Sequence, residues 1–184
     1  MDPARVVMVF AGMPREVRLA DGGTRRTGLL KDPVQGRVQV GLRAIDGDGC
    51  ACTEVHGLED QGLCVYPVGH WPALCEATGG TLAPGALGEN LAVDGVDEST
   101  VRIGSRWRCG EVLMEVTKPR APCATLSQVH GLPGLVKAIA QDARTGWYCR
   151  ILEAGEAGAA DPLVLEHQDP DAPTVAEAWR AQTG

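Results

Sequence analysis

Aromatic side chains are scarce in this chain. It has one phenylalanine, Phe10, with two tyrosines and four tryptophans among 184 residues. Core volume must therefore come mainly from valine, leucine and alanine. No apolar run approaches the roughly 18 residues needed to cross a membrane as a helix. The start, Met1-Asp2-Pro3-Ala4-Arg5, lacks the basic region and apolar stretch of a secretory signal. Cations are the minority charge, 17 Lys and Arg against 24 Asp and Glu, for a net charge of −7. That balance weighs against nonspecific binding to nucleic acid or to an anionic membrane. No internal repeat or low-complexity tract divides the chain, and its length suits one domain with a single core. The expectation is a cytoplasmic protein with no nucleic-acid or membrane partner; the oligomeric state is not legible.

Cysteine and glycine, by contrast, are plentiful. The seven cysteines are Cys50, Cys52, Cys64, Cys75, Cys109, Cys123 and Cys149. An odd number in a chain with no secretory signal reads as thiols in a reducing compartment. Short β-rich runs at 5–10, 38–42, 101–103, 106–109 and 112–116 predict strands, with Cys109-Gly110-Glu111 as a hairpin connection. The 24 glycines recur at strand ends and suit a compact barrel with many turns. Helices are predicted over 67–77, stopped by Gly79-Gly80, and over 133–144, opened by Pro133. Thr174-Val175-Ala176-Glu177 matches a capping box for a short C-terminal helix. Residues 154–160 and 168–173 read as connections.

The most telling segment is Lys118-Pro119-Arg120-Ala121-Pro122-Cys123-Ala124. Its two prolines restrict the backbone and disfavour helix before them, which predicts a stiff loop carrying Cys123. Nearby cations favour the thiolate, the form that attacks electrophiles and binds soft metals. Cys50, Cys52, His56 and Cys64 also bring metal-ligand residue types together. Their C-x-C spacing lacks the usual two-residue gap, so no zinc site is expected.

Four elements in order resemble the MOSC domain, named for the C-terminal region of molybdenum-cofactor sulfurases. They are Gly47-Asp48 followed by His56-Gly57, Asp60 through Tyr66-Pro67, Gly85-Ala86-Leu87-Gly88-Glu89-Asn90-Leu91, and Val101-Arg102-Ile103-Gly104 leading to Pro119-Arg120-Ala121-Pro122-Cys123. The likeness is nearest to stand-alone bacterial members that reduce N-hydroxylated bases. It covers residues 38–148 and continues weakly to Trp179. The resemblance implies a mainly β fold with peripheral helices, a MOSC-type β-barrel. The expectation is a single domain over 1–184, with a core at about 38–148 and a helical tail at about 174–182.

The resemblance also implies roles. Cys123 would ligate molybdenum of a molybdopterin cofactor or carry a persulfide, and soft sulfur serves both chemistries. Arg120 and Lys118 would hold the cofactor's phosphate, Arg120 through a bidentate fork and Lys118 as a point charge. Arg120 beside the thiolate and His56, able to move protons near neutral pH, complete the expected catalytic set. Asn90 offers a donor and an acceptor to a pterin edge, Gly88 permits close backbone approach, and Asp60 accepts from loop amides or the ligand. Where the family carries a basic residue after His-Gly-Gly and an acid, this chain has Gln61, which removes a cation expected near an anionic cofactor. Cys50 and Cys52 stand where polar or acidic residues are usual, and could act as auxiliary thiols exchanging with Cys123. The function implied is reduction of an N-hydroxylated small molecule with electrons from a separate protein. The alternatives are sulfur transfer through Cys123 from a sulfur donor protein, and noncatalytic carriage of the cofactor.

Overall fold

The β-branched runs and the proline- and glycine-marked breaks resolve into twelve strands and four helices in a computed structural model that describes residues 3–52 and 57–184. The strands are β1 (Arg5–Ala11), β2 (Arg15–Arg18), β3 (Thr24–Thr27), β4 (Asp32–Pro33), β5 (Arg37–Val40), β6 (Leu63–Pro67), β7 (Leu91–Asp94), β8 (Arg106–Cys109), β9 (Val112–Pro119), β10 (Trp147–Glu153), β11 (Gly155–Gly158) and β12 (Leu163–His167). The helices are α1 (Trp71–Thr78), α2 (Ala124–His130), α3 (Leu135–Gln141) and α4 (Val175–Thr183).

Eight strands form one mixed sheet in the order β12-β8-β9-β10-β6-β7-β1-β4, and β6 and β7 are its parallel pair. The sheet curls until its ends meet. Val6 N donates to Asp161 O at 2.9 Å, Ala160 N to Val6 O at 2.8 Å and Leu163 N to Ala4 O at 2.8 Å. These bonds join the start of β1 to the chain entering β12, which closes the sheet and removes an exposed edge. The inner face buries Val6, Val9, Val65, Val93, Val112 and Val116 with Trp107 and Trp147. Valine and leucine dominate it, as the lack of phenylalanine demands. A second apolar cluster, with Tyr66, Trp71, Leu74, Leu87, Leu126 and Ile139, seats α1, α2 and α3 against the outside of the sheet.

Several expectations hold and others change. The β8–β9 hairpin turns at Cys109–Val112 as read. The C-terminal capping box is present: Glu177 N donates to Thr174 Oγ1 at 3.2 Å, and Thr174 N donates to Glu177 Oε2 at 2.7 Å. Residues 101–103 do not form a strand. Arg102 makes a single bridge to Thr174, and Gly104 turns the chain at φ +80°. Residues 154–160 are not merely a connection, because β11 pairs with β5 through Gly155, whose Cβ, were there one, would meet Glu111 at 2.5 Å. The predicted first helix starts later, at Trp71, because Pro67 ends β6 and residues 68–70 form a 3-10 turn. Cys123 is extended (φ −109°, ψ 157°), as the prolines require, but α2 begins at the next residue.

Thr174 is buried and accepts from an otherwise orphaned amide of α4. Thr174→Ala is expected to cost about 1 kcal/mol. Thermal unfolding should record this as a fall of roughly 2–4 °C.

Candidate functional site

Strand alternation builds the floor of the site. Leu63, Val65, Trp147 and Cys149 face the barrel core, so the intervening Cys64 and Tyr148 face the other way. These two stand directly opposite each other where β10 pairs with β6, and both line a cleft of about 490 Å3. Its walls are the segment after β5 that carries Asp48 and Cys50, the 87–90 loop, β3, and the loop ending at Cys123.

The 85–90 loop is folded by its own carboxylate. Glu89 is wholly buried; its Oε1 accepts from Gly85 N at 2.5 Å and its Oε2 from Leu87 N at 3.1 Å. Burial holds the Glu89 carboxyl above its usual range, against the pull of those amides and of Arg120. Gly85 is required here: φ is +92° and a Cβ would lie 2.7 Å from the Phe10 ring. The fold of this loop turns the Leu87 carbonyl to Arg120 Nη2, which donates to it.

Arg120 is 6% exposed, and its Nη1 has no hydrogen-bond partner among the described residues. Burial works against its charge, but Cys64, Tyr148, Glu89 and Cys123 together outweigh it and keep the guanidinium protonated. Around this cation, burial pushes the Cys64 thiol up to about 11 and the Tyr148 phenol up to about 12, despite the opposing pull of Arg120. Both are neutral donors at physiological pH. Cys123 is exposed at the cleft, one residue ahead of α2. The structure thus brings together Cys123, Arg120, Asn90, Gly88, Cys50 and Cys52, all of which line the cleft.

Asn90 lies at its edge with its amide already engaged. Oδ1 accepts from Cys64 N at 3.0 Å, and Nδ2 donates to Asp48 Oδ2 at 2.8 Å and to Phe10 O at 3.3 Å. It ties the 85–90 loop to β6 and to Asp48. Lys118 and Asp60 are placed elsewhere: their side chains form an ion pair at 2.6 Å and neither lines the cleft. His56 lies outside the described residues. No cluster of three or more His, Cys, Asp or Glu among the described residues is arranged to hold a metal ion. Sequence reasoning passed over Tyr148, Lys31, Arg25, Arg26 and Arg43. Only the fold gathers them, and none sits in a motif; Cys64 was weighed only within the zinc set and never as part of this floor.

The charges of the cleft set it apart. Among the described residues its lining includes Arg25, Arg26, Arg43, Arg120 and Lys31, but one acid, Asp48. Lys31 already pairs with Asp48, both nearly buried. Seven of the ten arginines outside the cleft are in ion pairs. Among the described residues, none of the four that line it is. In a chain rich in carboxylates, such segregation marks a site for an anion.

The MOSC domain sequence model matches residues 53–164. The chain belongs to the MOSC domain family. It is 35% identical to YflK of Bacillus subtilis over 160 residues, spanning 87% of this chain and 72% of YflK. A protein named a reductase from Gibberella moniliformis is 29% identical over 167 residues, spanning 89% of this chain and 29% of that protein. The crystal structure of YiiM from Geobacillus stearothermophilus superposes with a TM-score of 0.80 at 31% identity, covering 98% of this chain and 84% of that one. The closed mixed sheet with helices outside it is therefore a MOSC fold, with Cys123 at the mouth of its cleft.

Exposure sets two thiols of this MOSC domain apart from three others. Cys52 and Cys123 are exposed, whereas Cys64, Cys109 and Cys149 are buried, with burial raising the latter two to about 12 and beyond. Iodoacetamide at pH 8 should label Cys52 and Cys123 at least about 100-fold faster than the buried three in native protein. Peptide mass spectrometry with an unfolded control, in which all seven react, provides the check.

Proposed function

We propose that this MOSC domain holds a molybdenum cofactor at Cys123 and reduces an N-hydroxylated small molecule. The observation that carries the reading is the exposed Cys123 thiol beside Arg120, a buried guanidinium with an unused donor, in a cleft whose four arginines have no carboxylate partner among the described residues. Family membership and the reductase-named relative support it.

The residues fit such a group. The Cys123 thiolate would supply a soft ligand to the metal. Arg120 would offset the negative charge gathered there and, held by the Leu87 carbonyl, cannot drift from its place. Gly88, at φ +79° and with Leu29 packed where a Cβ would lie, lets the loop that lines the cleft pack against Leu29. The Lys31–Asp48–Asn90 chain of contacts fixes the wall between β6 and the 85–90 loop. When bound, the cofactor would supply the two-electron chemistry. The balanced reaction is R–NHOH + 2 e⁻ + 2 H⁺ → R–NH2 + H2O. The Tyr148 phenol, protonated and facing the cleft, would donate a hydrogen bond to the departing oxygen. A separate donor protein would supply electrons.

A second reading, sulfur transfer through a Cys123 persulfide, is favoured by one observation. Cys50 and Cys52 line the same cleft and would serve as exchanging thiols. Protein produced in a host that makes the cofactor is expected to carry near-stoichiometric molybdenum and pterin, and Cys123→Ala to lose most of both. Metal-free protein with cyanide-releasable sulfur on Cys123 would overturn the reductase reading in favour of transfer. With molybdenum bound, turnover of an N-hydroxylated substrate with an artificial reductant separates an enzyme from a carrier. Arg120→Lys is expected to lower that turnover at least about tenfold, because an ammonium cannot reproduce the guanidinium fork.

A further inference from the structure

Arg25, Arg26 and Arg43 are a second group of cations, distinct from the buried Arg120 and Lys31. All three are exposed and line the cleft. They come from two separate stretches, strand β3 and the turn after β5. The β2–β3 hairpin stands outside the main sheet and is moored to α2. Arg25 Nη1 donates to Thr125 Oγ1 at 2.8 Å, and Ala20 N donates to Gln128 O at 3.0 Å. Thr125 is two residues beyond Cys123, so the mooring sets this arginine pair beside the thiol's own helix.

Like charges gathered at one opening repel one another, and among the described residues no carboxylate pairs with these three. The side chains of Arg26 and Arg43 make no hydrogen bond or ion pair among the described residues. Glu16 stands opposite Arg26 in register without bridging it. The one carboxylate of the lining among the described residues, Asp48, is taken by Lys31. A dianion bound at the mouth would supply the missing charge, and guanidinium forks match phosphate oxygens in pairs. Solvated arginines suit a ligand that enters and leaves, whereas the buried Arg120 suits a resident one.

We propose that the rim of Arg25, Arg26 and Arg43 is a phosphate-monoester site that makes the cleft prefer the phosphorylated form of its N-hydroxylated substrate. The inference rests on the reading of the cleft as a substrate site, and it sets the class of that substrate. A volume of about 490 Å3 lies within the range of pockets that enclose ligands of this size.

Calorimetric binding of N4-hydroxycytidine and of its 5′-monophosphate to the full chain at low ionic strength tests this without turnover. The monophosphate is expected to bind at least about tenfold tighter than the nucleoside, a difference of about 1.4 kcal/mol. The ratio should shrink as salt is raised. It should fall towards one in the Arg26→Gln, Arg43→Gln double variant and persist in Arg43→Lys. Equal affinities in the wild type, or a ratio unchanged in the double variant, would overturn the proposal. So would a double variant that loses molybdenum and pterin on purification, because the rim would then belong to the cofactor's own phosphate. The expected ratio in a protein that carries molybdenum yet reduces no N-hydroxylated compound would leave the phosphate site standing and sink the reductase reading alone.

Discussion

A guanidinium buried beneath an exposed thiol is the constraint around which the site is arranged. Removing a full charge from water costs several kcal/mol unless hydrogen bonds and opposite charge are brought to it. Arg120 receives one carbonyl, from Leu87, and lies within the field of the buried Glu89 carboxyl. Supplying that carbonyl requires the 85–90 loop to fold back on itself, which Glu89 enforces by binding two of the loop's amides. Gly85 and Gly88 then take positive φ angles at places where Phe10 and Leu29 leave no room for a Cβ. The Gly-Glu-Asn-Leu element is thus a support for the arginine, and Asn90 fastens that support to β6 and Asp48.

Charge segregation follows the same logic at larger scale. Ion pairs on the barrel surface, such as Arg37 with Asp161 and Arg106 with Glu115, answer most of the arginines. Exposed pairs of this kind add little stability, but they leave few free cations elsewhere on an acidic protein. Four of the arginines without ion pairs among the described residues line one opening. The lining of that opening is thus cationic in a chain of net charge −7.

Legibility from sequence tracked the range of the interaction. The β8–β9 hairpin, the Thr174 capping box and the extended Cys123 were readable because each depends on residues within three or four positions. Residues 101–103 had the β-branched composition of a strand, yet their backbone partners are Pro173 and Val175, some seventy positions away, and they form no strand. Gly155–Gly158 had the composition of a loop and became β11 because β5 offers it an edge. Lys118 and Asp60 carried motif-like settings but found each other across the 3-10 turn at Glu59–Gln61. Arg25, Arg26 and Arg43 carried none, and the hairpin on α2 placed the first two at the cleft.

By itself the sequence determined how the Cys123 sulfur is presented and to which family the chain belongs. Two prolines set the backbone before Cys123, and the four ordered motifs named the family; both depend on local stereochemistry or on chain order. Only the tertiary structure decided what surrounds that sulfur. The closing of the sheet turned Cys64 and Tyr148 outward beneath it, and the 85–90 loop buried Arg120 beside it. The same packing drew unpaired arginines from distant stretches to its rim. These are contacts between residues up to more than a hundred positions apart, which chain closure creates and no local preference encodes.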